Sequence, residues 1–258
     1  MSRILTSLLL LAALIAWPNA RADDAKPTIV LVHGAFADAS SWNGVAAVLQ
    51  RQGYPVVAVA NPLRGVAADA RYLGDVVKTI QGPVVLVGHS YGGLVIGEVP
   101  PTAGNIRALV FVAAFAAAPG ETAAGLSGKF PGSSLGAALA PPVVLAGGGK
   151  DLYIRQDKFH AQFAADVPAP AATLMAITQR PITEGALNEA VRVVAWQQVP
   201  SWFIHGDRDL NIPLQALDFM AERAHSRKTV VVPGASHVVM VSHPDAVADL
   251  VIAAARAH

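Results

Sequence analysis

A serine flanked by glycines is the strongest chemical signal in the sequence. Gly88, Ser90 and Gly92 fit the pattern G-x-S-x-G within PVVLVGHSYGG, residues 83–93. Glycines at these positions allow a sharp turn from strand to helix, which exposes the serine hydroxyl above the edge of a sheet. An apolar run typical of a buried strand precedes Ser90, so it is the predicted nucleophile. The second match, GSSLG around Ser134, follows no such run and is predicted to be a loop.

A serine hydroxyl needs a positioned base to remove its proton. His237, in VVVPGASHVVMVSHP, follows the last apolar strand run by a short loop. This places it at the same strand-end edge as Ser90, and it is the predicted base. Four other histidines are predicted to be capping or solvated residues: His160, His225, His243 and His258.

The base in turn needs an acid that orients its imidazole and stabilises the charged form. The segment PSWFIHGDRDLNIP, residues 200–213, offers Asp207 and Asp209 after another strand run. Asp209 is the predicted acid because it stands three residues past Gly206, far enough along the loop to turn toward the histidine. Asp207 is predicted to close the loop.

Attack on an ester carbonyl creates an oxyanion, which backbone N–H groups stabilise. The predicted donors are Tyr91, directly after the nucleophile, and Ala35 in LVHGAFADASSW, where Gly34 lets the chain turn after the first strand. Phe36 is predicted to form part of the pocket wall.

Three further histidines, His33, His89 and His205, fall near strand ends, and three histidines can hold zinc. Each of them, however, lies in or beside one of the turn motifs. No H-E-x-x-H or comparable ligand spacing accompanies them, so no metal site and no cofactor are predicted.

Short apolar runs rich in Val, Ile and Leu predict the strands that carry these residues. The runs cover residues 28–32, 56–60, 84–87, 108–115, 202–204 and 229–232. They lack the alternation of a half-exposed strand, so we expect strands covered on both faces, as in a parallel sheet. Helical apolar spacing between the runs, as at Trp42, Val45 and Leu49, predicts an α/β fold with a mostly parallel sheet flanked by helices.

Residues 116–199 form a connection far longer than the roughly dozen residues that a crossover between parallel strands needs. We predict an inserted cap there, within an α/β domain of residues 23–258 whose core covers residues 23–115 and 200–258. The front half of the cap is weakly patterned, and its back half predicts two or three short helices. Apolar residues of that back half are candidates to line a substrate pocket, although core packing is the favoured role for any single one: Phe159, Phe163, Leu174, Met175, Ile177 and Trp196.

Residues 1–22, MSRILTSLLLLAALIAWPNARA, predict a secretory signal cleaved after Ala22. The apolar run of residues 4–17 follows a basic start and is shorter than the roughly 18 apolar residues of a membrane-spanning helix. We therefore expect an exported protein, periplasmic or secreted, with no membrane anchor after cleavage.

Composition narrows the class of partner. The chain is 53% apolar and 14% charged, which favours an ordered core. The formal net charge is +1 with scattered Lys and Arg, which argues against nucleic acid as a partner. The absence of cysteine excludes disulfides and thiol catalysis. The expected partner is a small molecule, and no heptad or assembly motif indicates an oligomeric state.

Four segments, HGAFADASSW, GHSYGG, PSWFIHGDRDLNIP and SHVVMVSHPDAVADL, together resemble the α/β-hydrolase superfamily. The likeness is to its capped esterases related to the plant methyl salicylate esterases and hydroxynitrile lyases. The resemblance implies Ser90 as nucleophile, His237 as base and Asp209 as acid, with the Ala35 and Tyr91 amides as the oxyanion hole. The lyase branch has a threonine and a lysine where this chain has Gly34 and Val238, so the resemblance favours ester hydrolysis.

The sequence therefore predicts a serine hydrolase that cleaves small to medium, largely apolar carboxylic esters through an acyl-enzyme, without a cofactor. Two alternatives stay open. One is a cofactor-free lyase or a perhydrolase on the same fold, and the other is a catalytically silent hydrolase fold that binds a small molecule. Lactone and thioester hydrolysis also stay open.

Overall fold

Strands and helices alternate along residues 26–257, the part of the chain that the computed structural model describes. The predicted signal, residues 1–22, lies outside these residues. The strands are β1 (Thr28–Val32), β2 (Val56–Val59), β3 (Pro83–His89), β4 (Asn105–Val112), β5 (Val143–Val144), β6 (Lys150–Leu152), β7 (Ile182–Thr183), β8 (Ser201–Gly206) and β9 (Thr229–Val232). The helices are α1 (Asn43–Arg51), α2 (Val66–Lys78), α3 (Gly92–Glu98), α4 (Ala123–Gly128), α5 (Leu135–Ala138), α6 (Gln156–Phe163), α7 (Ala169–Thr178), α8 (Glu184–Asn188), α9 (Leu214–Arg223), α10 (Val239–Ser242) and α11 (Pro244–Arg256).

Six of the strands form one parallel sheet in the order β2-β1-β3-β4-β8-β9. The predicted fold class, an α/β fold with a mostly parallel sheet flanked by helices, is confirmed. In a parallel sheet every strand ends at the same edge, so the loops after β1, β3, β8 and β9 meet there. The four motif segments found in the sequence occupy these four loops.

Helices cover both faces of the sheet. Helix α11 packs on α1 and against β3, β4 and β8, whereas α3 packs on α2 and against β1, β3 and β4. The longest helices, α2 and α11, have 13 residues each. In the described part of the chain, no helix has both the length and the apolarity needed to cross a bilayer.

The two edge strands differ from the prediction that all six would be covered on both faces. The residues of β3 from Val84 to Val87 are fully buried, as predicted. At the edges, Val57 of β2 and Val231 of β9 are 37% and 43% exposed. An edge strand has a neighbouring strand on one side only, and here the helices leave it partly open to solvent.

Strand β4 is shifted from the predicted run of residues 108–115 and ends at Val112. The chain leaves the sheet at Ala113, whose φ of +43° is in the left-handed region that a strand does not use. The Phe115 N–H then donates to the Ser90 carbonyl at 3.2 Å. Residues 113–115, which the sequence predicts to be strand, therefore support the turn around the predicted nucleophile.

The chain between β4 and β8 contains helices α4 to α8 and a small antiparallel sheet in the order β5-β6-β7. The back half holds α6, α7 and α8, in agreement with the two or three short helices predicted. The front half also contains secondary structure, which the sequence did not reveal because α4, α5, β5 and β6 are two to six residues long. Such short elements show no measurable periodicity.

Glycines let β3, α3 and the first loop approach each other closely. A Cβ atom on Gly92 would lie 2.5 Å from the Val32 carbonyl oxygen, and one on Gly88 would lie 2.5 Å from the Gly92 carbonyl oxygen. Backbone atoms cannot move aside as a flexible side chain can. These positions therefore admit only glycine, whereas a Cβ on Gly97, five residues along α3, would meet nothing within 4 Å.

We predict that Gly92→Ala lowers the free energy of unfolding by about 1–3 kcal/mol, because the added methyl group collides with the backbone of β1. Gly97→Ala is the matched control and is expected to stabilise the helix by up to about 1 kcal/mol. Urea unfolding of both variants and the wild type measures the difference. Equal stability of the two variants would contradict this account of the turn.

Candidate active site

Ser90 lies at the tip of the turn between β3 and α3, with a backbone φ of +52°. A left-handed conformation at a residue other than glycine costs about 1–3 kcal/mol and persists only where the surroundings hold it. Here the Ser90 N–H donates to the Val112 carbonyl at 3.2 Å. The Ser90 carbonyl accepts from the Gly93 and Phe115 N–H groups at 2.9 and 3.2 Å. The end of β4 and the start of α3 thus hold the strained turn.

His237 and Asp209 form a buried hydrogen-bonded pair. His237 Nδ1 lies 2.6 Å from Asp209 Oδ2, and both side chains are at most 2% exposed. A carboxylate only accepts hydrogen bonds, so Nδ1 carries the proton and Nε2 is left as the acceptor that a general base needs. The other oxygen, Asp209 Oδ1, accepts from the N–H groups of Asn211 and Ile212 at 2.7 and 2.9 Å.

Asp207, the other acid of this loop, has a different contact. Its Oδ1 accepts from the Gly234 N–H at 2.6 Å and so joins the loop after β8 to the loop after β9. Of the two aspartates that the sequence offered, Asp209 is therefore the one that contacts His237.

Ser90 and His237 line the same cavity, together with Ala35, Phe36 and Tyr91. Within residues 26–257 no hydrogen bond joins the Ser90 hydroxyl to the His237 ring. Hydrogen bonds of this kind often tighten only when substrate is bound. The structure therefore brings the predicted nucleophile and base to one cavity.

The predicted oxyanion donors flank Ser90. Tyr91 follows it in the chain, and the loop of Ala35 lies against it, because a Cβ on Gly34 would be 2.7 Å from Ser90 Cβ. In the described residues neither the Ala35 N–H nor the Tyr91 N–H has a protein acceptor. The next amide, on Phe36, donates to the Arg180 carbonyl at 3.0 Å and holds the loop. Two N–H groups are thus available beside the serine.

The cavity has a volume of about 390 Å³. Its wall is largely apolar, and most of it comes from the chain between β4 and β8. The residues from that chain are Phe115, Ala123, Ala124, Ser127, Gly128, Ser133, Leu135, Gly136, Leu139, Phe163 and Leu187. None of them carries a charge, so the cavity suits an uncharged group.

Some of the residues predicted to form the pocket wall line this cavity, and others lie elsewhere in the structure. Phe36 lines the cavity, whereas Phe159, Met175 and Trp196 lie outside its wall. Phe159 is fully buried and packs on Phe163, which takes the place at the wall. Met175 faces a separate cavity. Trp196 donates its indole N–H to the Ala117 carbonyl at 3.0 Å, outside this cavity.

The histidines near the other strand ends each have a protein partner. His89 Nε2 lies 3.1 Å from the His237 carbonyl, and the two rings are 4.8 Å apart. His33 Nε2 accepts from the Asn61 N–H at 3.1 Å, and His205 Nε2 lies 3.0 Å from Asp218 Oδ1. Burial lowers the pKa of all three, that of His89 well below its usual value. Burial thus favours the neutral form of each ring, and His89 joins the serine turn to the loop of His237.

Ser134, in the second G-x-S-x-G match, lies in the loop directly before α5. Ser134 Oγ donates to Gln162 Oε1 at 2.8 Å, and the Ser134 N–H donates to the Leu210 carbonyl at 2.9 Å. Gln162 also donates to the Asn211 side chain at 3.0 Å. Ser134 thus fixes the front of the insertion to the loop that carries Asp209.

Residues 29–250 match the model of the alpha/beta hydrolase family. This chain belongs to that family. The match covers every motif described above, from the first strand to the last helix. The resemblance inferred from the four segments is confirmed at this level.

Two curated relatives of this hydrolase extend the comparison. It is 24% identical over 246 residues to the alpha/beta hydrolase nvfD of Aspergillus novofumigatus, covering 88% of this chain and 95% of that protein. It is 35% identical over 108 residues to the carbendazim hydrolyzing esterase of Nocardioides sp., covering 36% of this chain and 44% of that protein.

The fold also matches solved structures. Polyneuridine aldehyde esterase superposes with a TM-score of 0.76 and 20% identity, covering 89% of this chain and 99% of that one. At this identity the likeness extends to the fold alone.

Sequence reasoning missed most of the cavity wall. The stretch of residues 123–139 has no periodic pattern, and nothing in it signals contact with Ser90. Asn211 and Ile212 had an available signal, because they lie two and three residues after Asp209 in the same loop. The contact between His89 and His237, across 148 positions, had none.

The lowered pKa values of these three buried histidines predict a pH dependence of stability. A histidine whose pKa is lower in the folded state binds fewer protons there than in the unfolded chain. The contribution of such a histidine to the free energy of unfolding is then fully present above its unfolded-state pKa of about 6.5. It is lost as the pH falls through and below that value.

His89→Gln keeps a side-chain donor and removes the titration. We expect it to reduce, by about 1 kcal/mol, the loss of unfolding free energy between about pH 7.5 and about pH 5.5.

Urea unfolding at the two pH values measures this loss. His160→Gln is the matched control, because His160 is only partly buried and its Nε2 also faces a carbonyl, that of Val167 at 2.9 Å. It is expected to keep the wild-type loss. A wild-type loss in His89→Gln as well would mean that His89 is not neutral in the folded state.

Proposed function

We propose that this hydrolase cleaves carboxylic esters by acyl transfer through Ser90, His237 and Asp209. The observation that carries the proposal is the buried hydrogen bond of 2.6 Å between His237 Nδ1 and Asp209 Oδ2, at a cavity that Ser90 also lines. In the neutral ring this pair leaves Nε2 as the acceptor, and the ring lines the same cavity as Ser90. The family membership and the esterases among the relatives support ester hydrolysis in general terms.

In the proposed reaction the Ser90 oxygen attacks the ester carbonyl while His237 Nε2 takes its proton. The Ala35 and Tyr91 N–H groups stabilise the negative charge that forms on the carbonyl oxygen. The imidazolium then gives the proton to the leaving alcohol, and Asp209 stabilises its charge meanwhile. Water repeats the cycle on the acyl-enzyme and releases the carboxylic acid. No metal or organic cofactor takes part.

The proposed substrate is an uncharged ester of small to medium size. A volume of about 390 Å³ lies at the lower end of ligand cavities. The wall offers apolar contacts and few polar groups, and His237 is its only ionisable residue apart from Tyr91 in the described part of the chain. A charged substrate group would lose its hydration without gaining a partner.

We also propose that the protein is exported, because residues 1–22 have the pattern of a secretory signal. The mature chain would then begin at Asp23 and meet its substrate outside the cytoplasm. Its partner would be that substrate, with no nucleic acid and no membrane involved.

We expect a fluorophosphonate probe to label Ser90 and the wild type to turn over p-nitrophenyl esters. Ser90→Ala should reduce turnover at least about 10⁴-fold, because the nucleophile and its base act as a unit. Mass spectrometry of the labelled protein identifies the modified residue and the mature N-terminus. Ser134→Ala, the serine of the second motif, is the matched control and should retain labelling. An unlabelled Ser90, with a wild type no faster than Ser90→Ala, would favour a silent binding protein.

Leu135 lines the cavity, so Leu135→Ala should enlarge it. Each added methylene that finds apolar contact contributes about 0.8 kcal/mol. We expect the ratio of kcat/KM for octanoate over acetate esters to rise about fourfold or more. Leu174→Ala is the control, because Leu174 is 64% exposed on α7 and outside the cavity. An equal ratio in the two variants would mean that this cavity does not hold the acyl chain.

A further inference from the structure

Tyr91 is anchored through its side chain as well as through the backbone. Its N–H lies beside Ser90 at the cavity, whereas its phenol hydroxyl donates to Asp69 Oδ2 at 2.9 Å. Tyr91 is fully buried, and Asp69, on α2, is 1% exposed. In the described residues this is the only hydrogen bond of the Tyr91 side chain. Tyr91 directly precedes α3, but its side chain is hydrogen-bonded to a different helix, α2.

Asp69 is held in place by several donors. Besides the Tyr91 hydroxyl, it accepts from the Arg64 N–H, at 3.1 Å to Oδ2 and 3.3 Å to Oδ1. Burial raises the pKa of Asp69, and the hydrogen bonds from Tyr91 and the backbone oppose that rise. Burial also raises the pKa of Tyr91, so its hydroxyl keeps its proton and remains the donor. A buried carboxylate is tolerated only with such partners, so the arrangement is well determined.

Further hydrogen bonds join the segment before α2 to the insertion between β4 and β8. Arg64 Nη1 lies 2.6 Å from Asp151 Oδ1 on β6, and Arg64 Nη2 donates to the Pro181 carbonyl at 2.9 Å. The Thr183 N–H on β7 donates to the Leu63 carbonyl at 3.2 Å. The segment before α2 is thus joined to the small sheet of the insertion on one side and to Asp69 on the other.

We propose that Asp69 is a positioning residue for the oxyanion hole. It holds the Tyr91 phenol and so keeps the Tyr91 N–H directed at the carbonyl oxygen of the substrate. The inference rests on the proposed function, because it assigns Tyr91 as an oxyanion donor. An oxyanion donor contributes mainly in the transition state, so a small displacement lowers kcat more than it changes KM.

Tyr91→Phe tests the proposal with the loss of a single oxygen. The ring and the backbone N–H remain, and only the bond to Asp69 is removed. We expect kcat to fall about tenfold with KM within about twofold, which is less than the about 10²–10³-fold cost of losing a donor completely. The affinity for a trifluoromethyl ketone, which forms a tetrahedral adduct with the serine, should fall by the same factor as kcat/KM.

Variants of Asp69 separate positioning from folding. Asp69→Asn keeps an oxygen acceptor for the Tyr91 hydroxyl and is expected to stay within about threefold of the wild-type kcat. Asp69→Leu removes the acceptor and should resemble Tyr91→Phe, with about a tenfold loss of kcat, since both leave the Tyr91 N–H free to shift.

Glu98→Leu is the matched control, because Glu98 is also a buried carboxylate that binds the insertion. It accepts from the Arg192 and Val193 N–H groups at 2.8 and 3.1 Å. It has no contact with Tyr91 and should keep the wild-type kcat.

The outcomes distinguish the two proposals. If the wild type is active and Ser90→Ala is not, a Tyr91→Phe enzyme with wild-type kcat overturns the role of Asp69 alone. An equal loss of kcat in Glu98→Leu would also overturn it, because the effect would then be structural. A wild type without ester turnover would overturn the proposed function and this inference with it. Tyr91→Phe decides the matter even if Asp69→Leu does not fold.

Discussion

The left-handed backbone at Ser90 is the constraint on which the site depends. A φ of +52° at a serine is unfavourable, and the fold compensates with close contacts that only glycine allows. Gly34 and Gly92 bring the loop after β1 against the turn, and residues 113–115 leave β4 to hold it from the other side. The free N–H groups beside the serine are a direct result of this geometry.

Buried polar groups then connect the turn to the rest of the molecule. His89 holds the backbone of His237 from within the turn, and Asp209 holds its ring. Asp69 holds Tyr91 from α2. Each of these groups would be costly to bury without its partner, so each fixes one geometry among several that apolar packing would permit. The proposed nucleophile, base and oxyanion donors are therefore positioned by separate elements that share buried hydrogen bonds.

The two halves of the insertion between β4 and β8 contribute differently to the cavity. Its back half has most of the aromatic residues and the helical spacing, and its helix α6 directs Phe159 into the core. Its front half, rich in small residues, supplies most of the insertion's contribution to the cavity wall. Small side chains leave space beside Ser90, so the part of the insertion with the weaker pattern shapes the pocket.

The sequence by itself determined the alternation of strands and helices, the parallel sheet and the candidate residues at its edge. These follow from local patterns, because apolar spacing and turn glycines act over a few neighbouring positions. Only the tertiary structure decided that His89 binds the backbone of His237, that Phe163 rather than Phe159 lines the wall, and that Asp69 binds Tyr91. These contacts join residues 22 or more positions apart along the chain, or depend on which side of a short helix a ring occupies. Local pattern carries no information about such pairings, since the sheet and its loops must form before the side chains meet.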